Sequence, residues 1–395
     1  MTSSNEHEYD FGPLAGAAEL EELRSVLTQA FHFSTWEAFL KRVGLENFRR
    51  LRRGPGAVGG LAIYAMGQWF GGQSIPVGGI AAVGVPPEHR GQGVAFELMS
   101  GLLRELHRAG TPLSALYAST QSLYRKVGYE QGGVRIRYAV ESHRIGISDH
   151  DLPVRRVDPL KHEVFHDTYR RRAIRSTGNL DRGPIVWGRT VAPQEEVAFA
   201  YLVGPESAPE GYVIYKHVQG KKPPYYGLAV SDVVALTPAA QRRIWTFFAD
   251  HRSLTGEITW SGPLNDPMIY ALPEQPARIV EHDVWLLRIV DVPKALGMRG
   301  YPEAADAELH LDVSDAILPE NAGRFVLRIT GGRGEVSQGG RGDLRLDVRA
   351  LAPLFTGMFS ATELGAMGEI SGPLEAQSIA DRLFRGPAPW MPDMF

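Results

Sequence analysis

The stretch Val83-Gly84-Val85-Pro86-Pro87-Glu88-His89-Arg90-Gly91-Gln92-Gly93-Val94-Ala95 constrains this chain more than any other. An apolar run enters a proline pair and a glycine-punctuated turn, after which Phe96, Leu98, Met99, Leu102, Leu103 and Leu106 recur at helical spacing. A strand that feeds a helix through such a turn points to an α/β fold. The first N–H groups of the helix lack intrahelical partners, Gly91 and Gly93 have no side chain to block an anion, and Arg90 adds charge. The element therefore reads as a pyrophosphate cradle built from Arg90, Gly91, Gln92, Gly93, Val94, Ala95 and Phe96. It is neither a Walker loop, since no Gly-Lys-Ser/Thr follows, nor a dinucleotide G-x-G-x-x-G. An arginine and two glycines can also form a left-handed turn before a helix without any ligand.

Downstream, Leu116-Tyr117-Ala118-Ser119-Thr120 reads as a short β run, and Ser122-Leu123-Tyr124-Arg125-Lys126-Val127-Gly128-Tyr129 as a short helix closed by an aromatic-glycine-aromatic turn. The Arg90-x-x-Gly93-x-Ala95 pattern after a strand, followed in order by these elements, resembles the acetyl-coenzyme A site of the GCN5-related N-acetyltransferases (GNATs). That resemblance implies that Tyr124 stands where the thiolate leaves. Its phenol, with an unperturbed pKa of about 10, is protonated at neutral pH and suits a general acid. Taken alone, Tyr124 also fits a core tyrosine with a satisfied hydroxyl.

At 395 residues the chain exceeds a single core, and its length suggests several domains. A net charge of −3 gives no whole-chain electrostatic case for nucleic acid or membrane partners. Cysteine is absent, which excludes disulfides, thiolate metal sites and cysteine nucleophiles. The N-terminal Met1 to Glu8 carries acid where a signal peptide would be basic, and no apolar span is long enough to cross a bilayer. A cytoplasmic protein is the expectation.

The pattern divides into residues 1–145, 146–290 and 291–395. The first unit opens on a helix carrying Leu20, Leu23, Val26 and Leu27, continues through strands at Gly60 to Gln68 and Val77 to Val85, and closes with strands around Val134 to Val140. The second reads as a degenerate copy, with Val233 to Leu236 passing through Pro238 into another helix. Laying Arg242 on Arg90 puts Arg243 and Trp245 where Gly91 and Gly93 stood, so side chains fill the cradle there. The third has β runs at Leu309 to Val313, Gly323 to Thr330 and Gly342 to Val348. Between the last two a glycine-rich connection runs from Gly331 to Asp343, and helices follow at Ala350 to Phe359 and Ala376 to Phe384. The fold expected is α/β (α+β), with two tandem GNAT-like mixed-sheet domains before a smaller α+β domain.

This organisation, with the junction Val284-Trp285-Leu286-Leu287-Arg288-Ile289-Val290-Asp291-Val292-Pro293 and an aromatic chain end, resembles the Eis family of bacterial acetyltransferases, whose C-terminal domain is sterol-carrier-like. The resemblance implies acetyl-coenzyme A as donor, no metal, direct transfer to a primary amine of a cationic aminoglycoside-like or lysine-like acceptor, and assembly as a hexamer. It implies that Val83, Gly84 and Val85 meet the pantetheine arm, Ser119 and Thr120 line the donor, and Trp36 walls the acceptor cleft. The Phe395 carboxylate would be the general base. Gly91 and Gln92 stand where relatives can be basic, and Met394 where a relative can carry an acid. Asp393, or the acidic stretch with Glu19, Glu21 and Glu22, could supply the attraction for a cationic acceptor instead, but all four read first as solvated surface acids.

Two other classes compete. His162-Glu163-Val164-Phe165-His166 fits the zinc-peptidase pattern H-E-x-x-H, but the same residues read as an amphipathic helix with Val164, Phe165 and Tyr169 on one stripe. A sterol-carrier-like unit could alternatively make the chain a non-catalytic binding module for lipid or another small molecule.

Overall fold

A computed structural model describes residues 9–31, 36–220 and 224–395. The acidic N-terminal octapeptide lies outside the described residues. The first unit comprises β1 (Tyr9–Pro13), α1 (Ala17–Ala30), α2 (Trp36–Val43), β2 (Phe48–Arg53), β3 (Gly56–Phe70), β4 (Gln73–Gly84), α3 (Val94–Arg108), β5 (Leu113–Tyr117), α4 (Gln121–Lys126) and β6 (Glu130–Glu141). The second comprises β7 (Val154–Val157), α5 (Glu163–Ala173), β8 (Leu180–Asp181), α6 (Pro184–Val191), β9 (Phe199–Val203), β10 (Gly211–Gln219), β11 (Tyr226–Ala235), α7 (Pro238–Asp250), β12 (Thr255–Gly262), α8 (Pro267–Tyr270) and β13 (Arg278–Ile289). The third comprises α9 (Val292–Met298), β14 (Ala307–Ser314), β15 (Gly323–Thr330), β16 (Arg333–Gln338), β17 (Leu344–Asp347), α10 (Val348–Thr356), α11 (Ala361–Ala366), β18 (Ile370–Ser371) and α12 (Leu374–Phe384).

The first two units share one 13-stranded sheet. Strand β13, the last of the second unit, enters between β5 and β6 of the first, and β6 then pairs with β12. Glycine permits the insertion, because a Cβ on Gly132 or Gly133 would lie 2.2 or 2.5 Å from the fully buried Trp285 ring. Helix α3 buries Val94, Leu98, Met99, Leu102, Leu103 and Leu106, the stripe expected from spacing, while Phe96 is half-buried.

In the third unit the sheet order is β16-β15-β14-β17-β18. The glycine-rich connection is not all loop. Gly331 and Gly332 make a left-handed turn, and Arg333–Gln338 returns as a strand against β15. Buried residues of this unit, such as Leu309 and Phe325, share one core with Leu23, Tyr64 and Val77 of the first.

Candidate active site

Strands β4 and β5 are parallel and pair only from Val77–Leu113 to Ile80–Leu116. Beyond that they part. Strand β4 bulges against β3, where Ala82 and Val83 together oppose Leu61, and Ala82 adopts a φ of +52°. A left-handed alanine costs on the order of 1–3 kcal/mol, and such strain collects at functional sites. The bulge leaves backbone groups of Val83, Gly84 and Val85 without a partner on β5, at the mouth of the gap between the strands.

The cradle follows. Gly91 and Gly93 have φ of +73° and +80°, and a Cβ built on either meets nothing within 4 Å. Gly93 is the N-cap of α3 and offers no side-chain cap, so the N–H groups of Val94, Ala95 and Phe96 have neither an intrahelical nor a side-chain cap partner. The arrangement fits a pyrophosphate. Arg90 turns partly inward, its Nε donating to the Val85 carbonyl at 3.1 Å. Arg53 of β2, which sequence reasoning missed, donates to the Gln92 side chain at 2.9 Å and adds charge at the rim.

The second unit lost its cradle in a different way from the one expected. Its helix α7 starts at Pro238, so Arg242, Arg243 and Trp245 lie inside the helix and not at its N-terminus. The N-cap is Thr237, whose Oγ1 accepts from Ala240 N at 3.1 Å and closes the position that Gly93 leaves open. Trp245 is a core residue, its Nε1 donating to the Met268 carbonyl at 2.8 Å.

Tyr124 sits in α4, 8 % exposed, with its ring edge-on to Tyr129 at 6.0 Å. Burial pushes its phenol up from 10.0 to about 12. Tyr129 and Ser114 share a 2.7 Å hydrogen bond, and Ser114 donates to the Gly78 carbonyl at 3.0 Å, tying the turn after α4 to the β4–β5 pair. The expected strand through Thr120 ends earlier, at Tyr117. Ser119 and Thr120 are exposed in the connection to α4, and Thr120 is that helix's N-cap.

The tail after α12 is docked. Trp390 N donates to Thr177 O at 2.9 Å, Met391 N to Val134 O at 3.2 Å, and Asn179 Nδ2 to Trp390 O at 2.8 Å. Met391 is fully buried, which contributes roughly 1.5–3 kcal/mol before ordering costs. The Phe395 ring packs 5.8 Å from Tyr117 and 6.2 Å from Tyr64, and a Cβ on Gly79 would come within 2.9 Å of it. Phe395 therefore reaches β4 and β5 beside their gap, on the face opposite Tyr124. Trp36, at the head of α2, is buried against Phe39 and Phe48.

Asp393 is not a solvated surface acid. It is 7 % exposed and meets buried Arg182 at 2.9 Å. Arg182 also holds Asp232 at 2.5 Å and lies 3.9 Å from the Tyr169 ring. Burial lifts the Asp393 pKa while Arg182 opposes it; at Asp232 burial acts the same way, but Arg182 and Arg172 outweigh it and hold that carboxyl low. Arg182→Met strands the buried Asp393 carboxylate and leaves Asp232 to Arg172 and the Tyr212 hydroxyl, so urea unfolding is expected to register a loss of about 3–5 kcal/mol. A change under about 1 kcal/mol would mean the tail is held by its backbone bonds alone. Glu19 is likewise engaged, 2.6 Å from Arg52.

The H-E-x-x-H pair has a structural account. His162 Nδ1 and His166 Nε2 are 2.9 Å apart, both rings stack on Trp187, and no cluster of three metal-ligating side chains occurs among the described residues.

Two acetyltransferase (GNAT) domain models match residues 14–132 and 178–289, and a sterol carrier protein domain model matches 292–392. An uncharacterised N-acetyltransferase of Streptomyces avermitilis is 31% identical over 358 residues, covering 82% of each chain. The N-acetyltransferase Eis of Mycobacterium tuberculosis is 28% identical over 340 residues, 80% of each. The crystal structure of a GCN5-related N-acetyltransferase from Anabaena variabilis superposes with a TM-score of 0.94 at 38% identity, covering 98% of this chain and 100% of that one. With two GNAT domains on one sheet, a sterol-carrier-like third unit and these relatives, the chain belongs to the Eis family of GCN5-related N-acetyltransferases.

Proposed function

We propose that this N-acetyltransferase moves the acetyl group of acetyl-coenzyme A directly to a primary amine, at a single site in the first unit, with Tyr124 as general acid and the Phe395 carboxylate as general base. Bound acetyl-coenzyme A supplies the activated thioester. The N–H groups of Val94, Ala95 and Phe96, with Arg53 and Arg90 at the rim, would hold its pyrophosphate, and the parted β4 and β5 would admit its pantetheine arm. The terminal carboxylate, ionised at neutral pH, accepts a proton from the acceptor's ammonium and so frees the amine nitrogen to bond to the acetyl carbon; as the carbon–sulfur bond breaks, Tyr124 Oη donates a proton to the departing sulfur. The observation that carries the reading is the docking of Phe395 against Gly79 and Tyr117, beside the point where β4 and β5 part.

The test is amine-dependent thiol release with mass detection of the acetylated product. No release from any primary amine would refute the reading. Gly93→Trp places an indole in the open cradle and forces a bulky residue into a left-handed backbone, so calorimetry should show coenzyme A affinity falling by about 100-fold or more. Two coenzyme A molecules bound per wild-type chain would contradict the single site.

A further inference from the structure

A cavity of about 350 Å³ opens beside the tail, walled by Arg42 of α2, Arg135 and Arg137 of β6, Arg189 of α6 and Lys216 of β10. The acid in its lining, among the described residues, is Asp393, already held by Arg182. Some of the positive charge is balanced from outside. Arg135 lies 2.7 Å from Asp283, Lys216 lies 3.3 Å from Glu196, and Arg137 reaches Glu281 at 3.7 Å. Arg189 makes no ion pair among the described residues and is half-buried.

The cavity adjoins the chain end. Pro392, Asp393 and Met394 line it, and Arg189 and Arg42 lie near enough to the Tyr64 hydroxyl to favour its ionised form against the burial that raises its pKa. The Tyr64 ring in turn packs on Phe395. An acceptor reaching the Phe395 carboxylate from this side therefore passes guanidinium groups. A polycation meets repulsion there, whereas a carboxylate or phosphate meets planar forks suited to bidentate hydrogen bonding.

We propose that the acceptor carries an anionic group, carboxylate or phosphate, near its reacting amine, and that Arg189 is the residue that reads that anion. The inference rests on the acetyl-transfer reading above and replaces the cationic acceptor suggested by sequence resemblance. The same positive field favours the neutral form of the acceptor amine, the form that can attack a thioester.

Four acceptors of matched length distinguish the possibilities in the thiol-release assay: aminohexanoate, aminohexyl phosphate, hexylamine and diaminohexane. The anionic pair should exceed diaminohexane in kcat/KM by about 10-fold or more, and whichever of the two leads identifies the group. Arg189→Gln should erase that lead, acting mainly on KM, with coenzyme A affinity kept. Diaminohexane used as well as aminohexanoate, with no change in the variant, would overturn the proposal. Calorimetric titration of glutarate, which has the anion and no amine, into coenzyme A-loaded protein separates the two readings. Glutarate binding weakened by Arg189→Gln, without turnover of any amine, would sink acetyl transfer and support the anion site. Turnover without an anionic preference or glutarate binding would sink the anion site alone.

Discussion

Extending the chain by one glycine after Phe395 is expected to cut turnover by about 100-fold or more while coenzyme A still binds, since positioned proton transfer contributes on that scale. The polar attachments that fix the tail all precede its end: the backbone bonds of Trp390 and Met391, the Asp393–Arg182 pair, and the Tyr117 hydroxyl donating to the Asp393 carbonyl at 2.8 Å. An added glycine disturbs none of them and moves the carboxylate by up to about 3.6 Å. The tail's buried ion pair is made by Asp393 and not by the terminal carboxylate, so the extension should leave the melting temperature unchanged. Phe395→Ala is the matching control. It keeps chain length and carboxylate, loses ring packing on Tyr64 and Tyr117, and should retain more activity than the extended protein. Normal turnover by the extended protein would place the base elsewhere.

Tyr124→Phe should lower kcat by about 100-fold with acetyl-coenzyme A affinity nearly unchanged, because the ring and its contact with Tyr129 remain and only the proton is lost. Burial raises the phenol's pKa from 10.0 to about 12, which favours the protonated, donating form. The acid therefore persists through neutral and mildly alkaline pH, and any alkaline limb due to Tyr124 should begin above 10.0, nearer about 12. A wild-type rate that fell through pH 8–9 and flattened in Tyr124→Phe would contradict this assignment of the proton, since such a limb lies below even an unperturbed tyrosine pKa of about 10. Full turnover by the variant would leave Tyr124 as a packing residue.

What the sequence determined by itself is local. Glycine at 91 and 93, followed by apolar residues at helical spacing, dictates a left-handed turn and then α3 starting at Val94, because only near neighbours and φ preferences are involved. The two-unit α/β architecture and the third unit were legible for the same reason. What tertiary structure decided depends on residues far apart in the chain. The insertion of β13 between β5 and β6 leaves no periodicity to read, and the room for it comes from Gly132 and Gly133 facing Trp285. The bulge at Ala82 arises from register against β3, not from a glycine. The closed cradle of the second unit turned on where α7 begins, which an aligned arginine could not locate and the Thr237 cap does. Asp393 reads as a surface acid in the sequence, whereas the fold buries it against Arg182, more than two hundred residues earlier. The basic cavity gathers Arg42, Arg135, Arg137, Arg189 and Lys216 from α2, β6, α6 and β10, while the chain as a whole has a net charge of −3. Composition sums charge over the chain, and only the fold determines which charges face one cavity.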